Sequence, residues 1–154
     1  MRRKDREVTD PHRLTEIIRA CDCCRLGIRD GDGAYVVPLN FGYKAEGKGV
    51  FYFHCAREGR KLTLLAQSPN VGFELDTHHE LRRGSKGCDF TFLYSSVMGR
   101  GVVRTVTELA EKREALTLLL TQYGGDGDTI TDAEAERVTV LRLDVSEMTG
   151  KEHL

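Results

Sequence analysis

Hydrophobic residues recur along this chain with two periods, and the switches between them mark its elements. Asp10-Pro11 predicts a short helix to about Ala20, with the aspartate as cap and the proline in the first turn. Leu14, Ile17 and Ile18 then share one face, suited to covering one end of a barrel. From Cys24 the spacing shortens. Residues 25–29 and 34–43 read as the two strands of a hairpin around the turn Asp30-Gly31-Asp32-Gly33. Pro38 inside the second run cannot donate to a ladder, so its amide side must face an edge, a bulge or a ligand. Val50 to His54 is a further strand, rich in aromatics. Residues 59–66 suit a short helix that Ser68-Pro69-Asn70 stops, and Val71 to Asp76 alternate cleanly as a strand. Residues 77–89 are polar and turn-rich. A strand begins at Phe90–Tyr94 and resumes through Val97, Gly101, Val102 and Val103.

The clearest helix spans 108–123, with Leu109, Leu116, Leu119, Leu120 and Tyr123 as its apolar stripe. Thr107 is its expected cap and Gly124-Gly125 its end. Thr131-Asp132-Ala133-Glu134 has the form of a capping box. Val138, Val140, Leu143 and Val145 belong to a last strand, whose register Leu141 obscures by breaking the alternation. About six short antiparallel strands with flanking helices predict a mainly β, α+β fold, a small split β-barrel or open roll. Too few helices alternate with strands for a doubly wound sheet. Residues 1–10 read as a flexible charged tail and 11–154 as a single domain.

At 154 residues the chain can bury a core without disulfide staples. Lys plus Arg total 23 against 24 for Asp plus Glu, a near-balance that argues against a general nucleic-acid binder. A compact phosphate pocket needs only two or three basic groups and stays compatible. The longest apolar stretches fall short of membrane-spanning length. The charged start has no apolar run behind it, and five cysteines are an odd count, so a cytoplasmic protein without a disulfide framework is expected.

Candidate chemistry is densest in Phe51-Tyr52-Phe53-His54-Cys55-Ala56-Arg57-Glu58-Gly59-Arg60-Lys61. A strand ends at His54, the chain bends through Gly59, and a helix starts with two cations. Free amides at a helix start joined by Arg60 and Lys61 are a receptor for a phosphate dianion. The same two residues would also suit a plain solvated helix face. Neither a Walker-type loop nor a Gly-x-Gly-x-x-Gly strand–helix turn occurs, which disfavours triphosphate and Rossmann readings. Cys21, Cys23 and Cys24 have poor spacing for closed zinc coordination, so buried free thiols are expected and no metal site. Cys55 should face away from His54, as a core filler or a thiol near a ligand. His78, His79, Arg82, Arg83 and Lys86 are expected at the solvent.

These residues carry a resemblance. The chain is similar to the FMN-binding split-barrel family related to pyridoxamine 5'-phosphate oxidase, and within it to the 5-nitroimidazole-resistance (Nim-type) reductase branch. The matching pieces, in family order across roughly residues 12–151, are Val37-Pro38-Leu39-Asn40-Phe41, Tyr52 to Lys61, Tyr94 to Gly101, Glu111 to Leu116, and Thr149-Gly150-Lys151. The resemblance implies that Val37, Pro38, Leu39 and Asn40 run beside the isoalloxazine of FMN, mostly through backbone. It puts Phe53 and His54 near the ribityl-phosphate, makes Arg60 and Lys61 the phosphate pair, and brings Ser96 and Val97 to the cofactor on a later strand. It also implies a homodimer with the flavin at its interface.

His54 matches a histidine implicated in catalysis in the Nim-type branch; read from its own surroundings it suits a hydrogen-bond donor better than a proton shuttle. The expected function is thus an FMN-dependent oxidoreductase acting on a small molecule, with nitroaromatic compounds as candidate substrates and a nicotinamide as candidate electron donor. The competing expectation is a non-catalytic flavin- or haem-binding sensor or carrier, because no convincing acid–base set accompanies the pocket. Pyridoxamine-phosphate oxidation itself is disfavoured, since that enzyme's substrate-phosphate residues have no counterparts near the C-terminus.

Overall fold

The computed structural model describes residues 3–154. The strands are β1 (Glu7–Val8), β2 (Cys24–Asp30), β3 (Gly33–Leu39), β4 (Gly42–Lys44), β5 (Val50–Cys55), β6 (Asn70–Arg82), β7 (Thr91–Thr105) and β8 (Thr139–His153). Helices α1 (Pro11–Ala20), α2 (Arg60–Gln67), α3 (Leu109–Gln122) and α4 (Asp132–Arg137) interrupt them. Of the charged segment 1–10, Met1 and Arg2 lie outside the described residues. Lys4–Arg6 form a 3-10 turn, and Glu7 and Val8 pair with Lys151 and Gly150.

All ladders are antiparallel, in the order β3-β2-β6-β7-β8-β5-β4, with β1 added beside β8. This corrects the expected barrel of about six strands. There are eight strands among the described residues, and the sheet does not close, because β3 and β4 are its two ends and no ladder joins them. Two physical reasons are visible. β3 carries Pro38, which lacks the amide hydrogen a further partner would use. Between β3 and the end of β5 lies the start of α2, where the Arg60 guanidinium sits 5.4 Å over the Tyr35 ring. The additional strands, β1 and β4, are two and three residues long, too short to show alternation.

The sheet still curls around one core. Inward residues of β2 to β8 meet there with Ile17 and Ile18 of α1 and Leu64 and Leu65 of α2. Phe51 is the hub, with Phe73 at 5.1 Å, Tyr43 at 4.9 Å and Phe41 at 5.7 Å between ring centroids. A second, smaller core lies on the other side of β5 and β8 under α3, formed by Val50, Tyr52, Val106, Ala115 and Val140. It explains the broken alternation at Leu141. Val140 faces α3 while Leu141 and Leu143 face the main core, so consecutive residues are both buried. α3 lies so close on β4 that a Cβ at Gly42 would stand 2.6 Å from the Leu119 amide nitrogen.

Several local expectations hold. Asp10 accepts from the His12 amide at 3.1 Å with Pro11 opening α1, and Thr131 and Glu134 form the reciprocal box at α4. Gly31 takes a left-handed φ of 60° in the β2–β3 turn, and Gly124 ends α3 with φ 77°. Glu108, not Thr107, is the N-cap of α3, with no side-chain cap bond. The first six residues of the polar stretch 77–89 are strand, since β6 runs on to Arg82 and pairs with the start of β7 as a projecting hairpin, and the rest is irregular up to a 3-10 turn at Gly87–Asp89. An arm with little to bury on either side needs no alternation, so its sequence looked like a loop. No described helix is long and apolar enough to cross a membrane.

Candidate functional site

The site begins where β5 runs out. Phe51 and Phe53 point into the core, and after Cys55 the chain turns through residues 56–59. Gly59 is the N-cap of α2 at φ 138°, a conformation closed to most side chains, and no side chain caps the helix. Its carbonyl accepts from the amides of Leu62 and Thr63, at 3.0 and 3.2 Å. The helix start therefore faces outward with its positive dipole end and the Arg60 and Lys61 side chains beside it. Tyr35, Cys55, Arg60, Lys61 and Leu62, with the 56–59 bend and its one carboxylate, Glu58, line an open cleft of about 200 Å³ here.

The two cations differ. Arg60 is paired with Asp30 at the end of β2 and stacked on Tyr35, yet its side chain remains 64% exposed. Only one of its amino groups is used by Asp30, so the guanidinium keeps further donors for an anion. Lys61 forms no ion pair among the described residues and is half-buried, the state in which a cation gains most from an incoming anion. Burial pushes the Cys55 thiol up, and the Lys61 ammonium pulls against it, which ties these two groups to the same cleft.

The other residues singled out by the sequence fall into three sets. Val37, Pro38 and Leu39 lie on β3, the free edge of the sheet, and Asn40 follows directly, exposed. Pro38 and Ser96 project from the outer face; cross-strand rows run Pro38–Arg25–Glu74–Met98 and Asp76–Ser96–Lys151. His54 is exposed on that same outer side, across the sheet from Cys55. Phe53 and Val97 are fully buried in the main core. Tyr35 and Asp30, which position Arg60, carried no sequence signal, because only the folded sheet brings the β2–β3 turn to α2.

The outer face carries exposed apolar side chains among its charged ones. Val36, Leu81, Phe92, Met98 and Val102 lie on it, each 41–59% exposed, and Gly27 and Gly72 flatten its centre. Arg25 stands among them, held by Glu74 at 3.0 Å and Asp76 at 2.5 Å, and Arg100, Glu147 and Lys151 are charges on the same face. Elsewhere Cys21 and Cys24 are buried thiols. Desolvation, with nearby carboxylates, raises Cys21 to about 12, and its Sγ donates to the Ile17 carbonyl at 3.2 Å. His78 and His79 are exposed, the latter 2.8 Å from Asp76.

An open antiparallel sheet with a two-cation cleft at the strand–helix bend defines the class. The sequence profile of the pyridoxamine 5'-phosphate oxidase family matches residues 10–152, and the chain belongs to that family. Within solved structures it is similar to a candidate 5-nitroimidazole antibiotic resistance protein from Bacteroides thetaiotaomicron, at 34% identity and a TM-score of 0.81, over 95% of this chain and 86% of that one. The resemblance drawn from the sequence is thereby borne out. The fold also recurs in an FAD- and haem-binding protein from Mycobacterium smegmatis (15% identity, TM-score 0.81, 96% of this chain and 73% of that one). It recurs again in the flavocytochrome Anf3 from Azotobacter vinelandii (20%, 0.77, 100% and 72%). No curated protein matches the chain by sequence.

Proposed function

We propose that this protein is a flavin-dependent oxidoreductase that binds FMN and acts as a homodimer. The carrying observation is the uncapped start of α2, with Lys61 in no ion pair among the described residues and Arg60 only partly engaged, opening beside the free edge of β3. That donor set suits a phosphate dianion. Arg60, Lys61 and the first amides of α2 would hold the phosphate, and the backbone of Val37 to Asn40 would border the ring. Bound there, the flavin supplies hydride and electron transfer. Phe53 and Val97, buried as they are, shape the wall behind this region. Ser96 and His54 present side chains on the outer side, where His54 is the candidate catalytic or positioning histidine. Kinship with a candidate nitroimidazole-resistance protein supports nitroaromatic compounds as substrates, with a nicotinamide as donor.

The dimer reading rests on the outer face. Val36, Leu81, Phe92, Met98 and Val102 are exposed on one side of the sheet, and a two-fold pairing there would cover both copies at once. The flavin edge along β3 would then meet the partner.

The test is the visible spectrum of protein purified without added cofactor, followed by anaerobic titration with NADH and NADPH. Flavin bands that bleach are expected. A protein that is colourless and takes up no added FMN overturns the proposal, and a Soret band replaces it with haem binding. Flavin that no nicotinamide reduces points to a carrier. Light scattering should give a dimer that Met98→Glu converts to monomer.

A further inference from the structure

A second group of donors lies on the outer face, away from the α2 cleft. Register places Tyr94 opposite His153 and Ser96 opposite Lys151, so four polar side chains form a square across β7 and β8. The Lys151 ammonium sits 5.4 Å from the centre of the Tyr94 ring, and the His153 ring meets Tyr94 edge-on at 6.3 Å. Arg6, just before β1, comes in from the third side. All five are half-buried.

The surrounding acids are committed elsewhere. Asp5 is tied to Arg3, Glu152 turns inward to Arg13 and Ser95, and Asp76 serves Arg25 and His79. Glu7 stands across from Lys151 in the β1–β8 register but makes no ion pair with it. Two half-buried cations are thus left beside a phenol, a hydroxyl and an imidazole whose Nδ1 is on the Phe92 carbonyl at 3.2 Å, leaving Nε2 free. Partly desolvated positive charge with neutral donors around it is complementary to a small anion.

We propose that Arg6, Tyr94, Ser96, Lys151 and His153 form a binding site for a small oxyanion, the carboxylate or phosphate group of a substrate. Oxyanion binding here needs no flavin; its use as a substrate anchor rests on the flavin reading, because Ser96 joins this cluster to the proposed cofactor region. The Lys151 ammonium, and to a smaller extent the Arg6 guanidinium, already hold the Tyr94 phenol below its ordinary value. An oxyanion at the cluster opposes the phenolate, so its binding must raise Tyr94 again.

The experiment titrates FMN-saturated protein with inorganic phosphate, and separately with acetate, at constant ionic strength. If the protein takes no FMN, the Lys61→Ala variant serves instead, so a failed flavin reading does not mask this one. Amide shifts of residues 94–98 and 149–153 and the phenolate absorbance of Tyr94 are followed. Saturable binding by at least one anion is expected, with the Tyr94 titration moving to higher pH. Lys151→Gln should weaken it about tenfold or more, and Lys151→Arg should retain it. Preference for phosphate or for acetate identifies the substrate group. Absence of saturable binding by both anions, or binding unchanged in Lys151→Gln, overturns the site.

Discussion

Lys61 and Arg60 start α2 side by side, but the structure predicts opposite consequences for disturbing their surroundings. Lys61 has no acid partner among the described residues, so Lys61→Ala should remove the proposed charge-assisted contact to the phosphate and leave nothing in return. Such a contact is worth about 1.5–3 kcal/mol, which corresponds to roughly 10–150-fold in Kd at about 1.4 kcal/mol per tenfold. Arg60 is held by Asp30, an exposed pair whose strength is about 0–1 kcal/mol. Any phosphate must compete with that carboxylate. Asp30→Asn keeps the shape of the turn while removing the competing charge, and FMN affinity should rise up to about fivefold. The assay is quenching of FMN fluorescence on titration with apoprotein, at two salt concentrations, since both effects must shrink as screening grows. Equal affinity in wild type and Lys61→Ala would refute the phosphate placement. Weaker binding in Asp30→Asn would show that Asp30 orients Arg60 for the ligand and does not compete for it.

Gly42→Ala sets a Cβ against the α3 backbone and should cost about 1–3 kcal/mol in chemical denaturation, with the m-value unchanged. Burial pushes Glu111 up, but its bonds to Arg142 at 3.0 Å and Arg104 at 2.8 Å outweigh that and leave it below the ordinary 4.5. Its contribution to stability is therefore present above pH 4.5 and fades as pH falls through the lower folded value; Glu111→Gln should flatten that acid limb in pH-dependent unfolding. Thiol labelling at neutral pH should be fast at exposed Cys88 and absent at Cys21 and Cys24 until the protein unfolds; rapid labelling of Cys24 would contradict its burial.

Sequence reading succeeded where a feature is set within a few residues. The Asp10 cap, the Gly31 turn and the Thr131 box each depend on contacts spanning four residues or fewer. It also found the α2 cations, because a strand, a glycine and two basic residues stand together in the chain. It did not find the open order of the sheet, for β3 and β5 are brought to the same cleft only by curvature. Nor could it resolve Val140 and Leu141, since two cores on opposite sides of β8 remove the alternation that strand detection relies on. Asp30 and Arg60 are thirty residues apart, and nothing local marks either as the other's partner.

The correction from a barrel to an open sheet bears on function. In a closed barrel every strand edge is hydrogen-bonded, and backbone groups have nothing left for a ligand. Here β3 is an end strand, and its proline keeps one amide position out of any ladder. The gap beyond it is spanned by a helix start carrying two cations, not by another strand. Closing the sheet would fill the opening that the phosphate reading requires. The outer face beside that free edge carries the exposed Val36, Met98 and Val102. The proposed flavin edge and the proposed dimer surface adjoin on this side of the sheet, so loss of the dimer in Met98→Glu should weaken flavin binding as well, although Met98 is distant in sequence from every proposed phosphate contact.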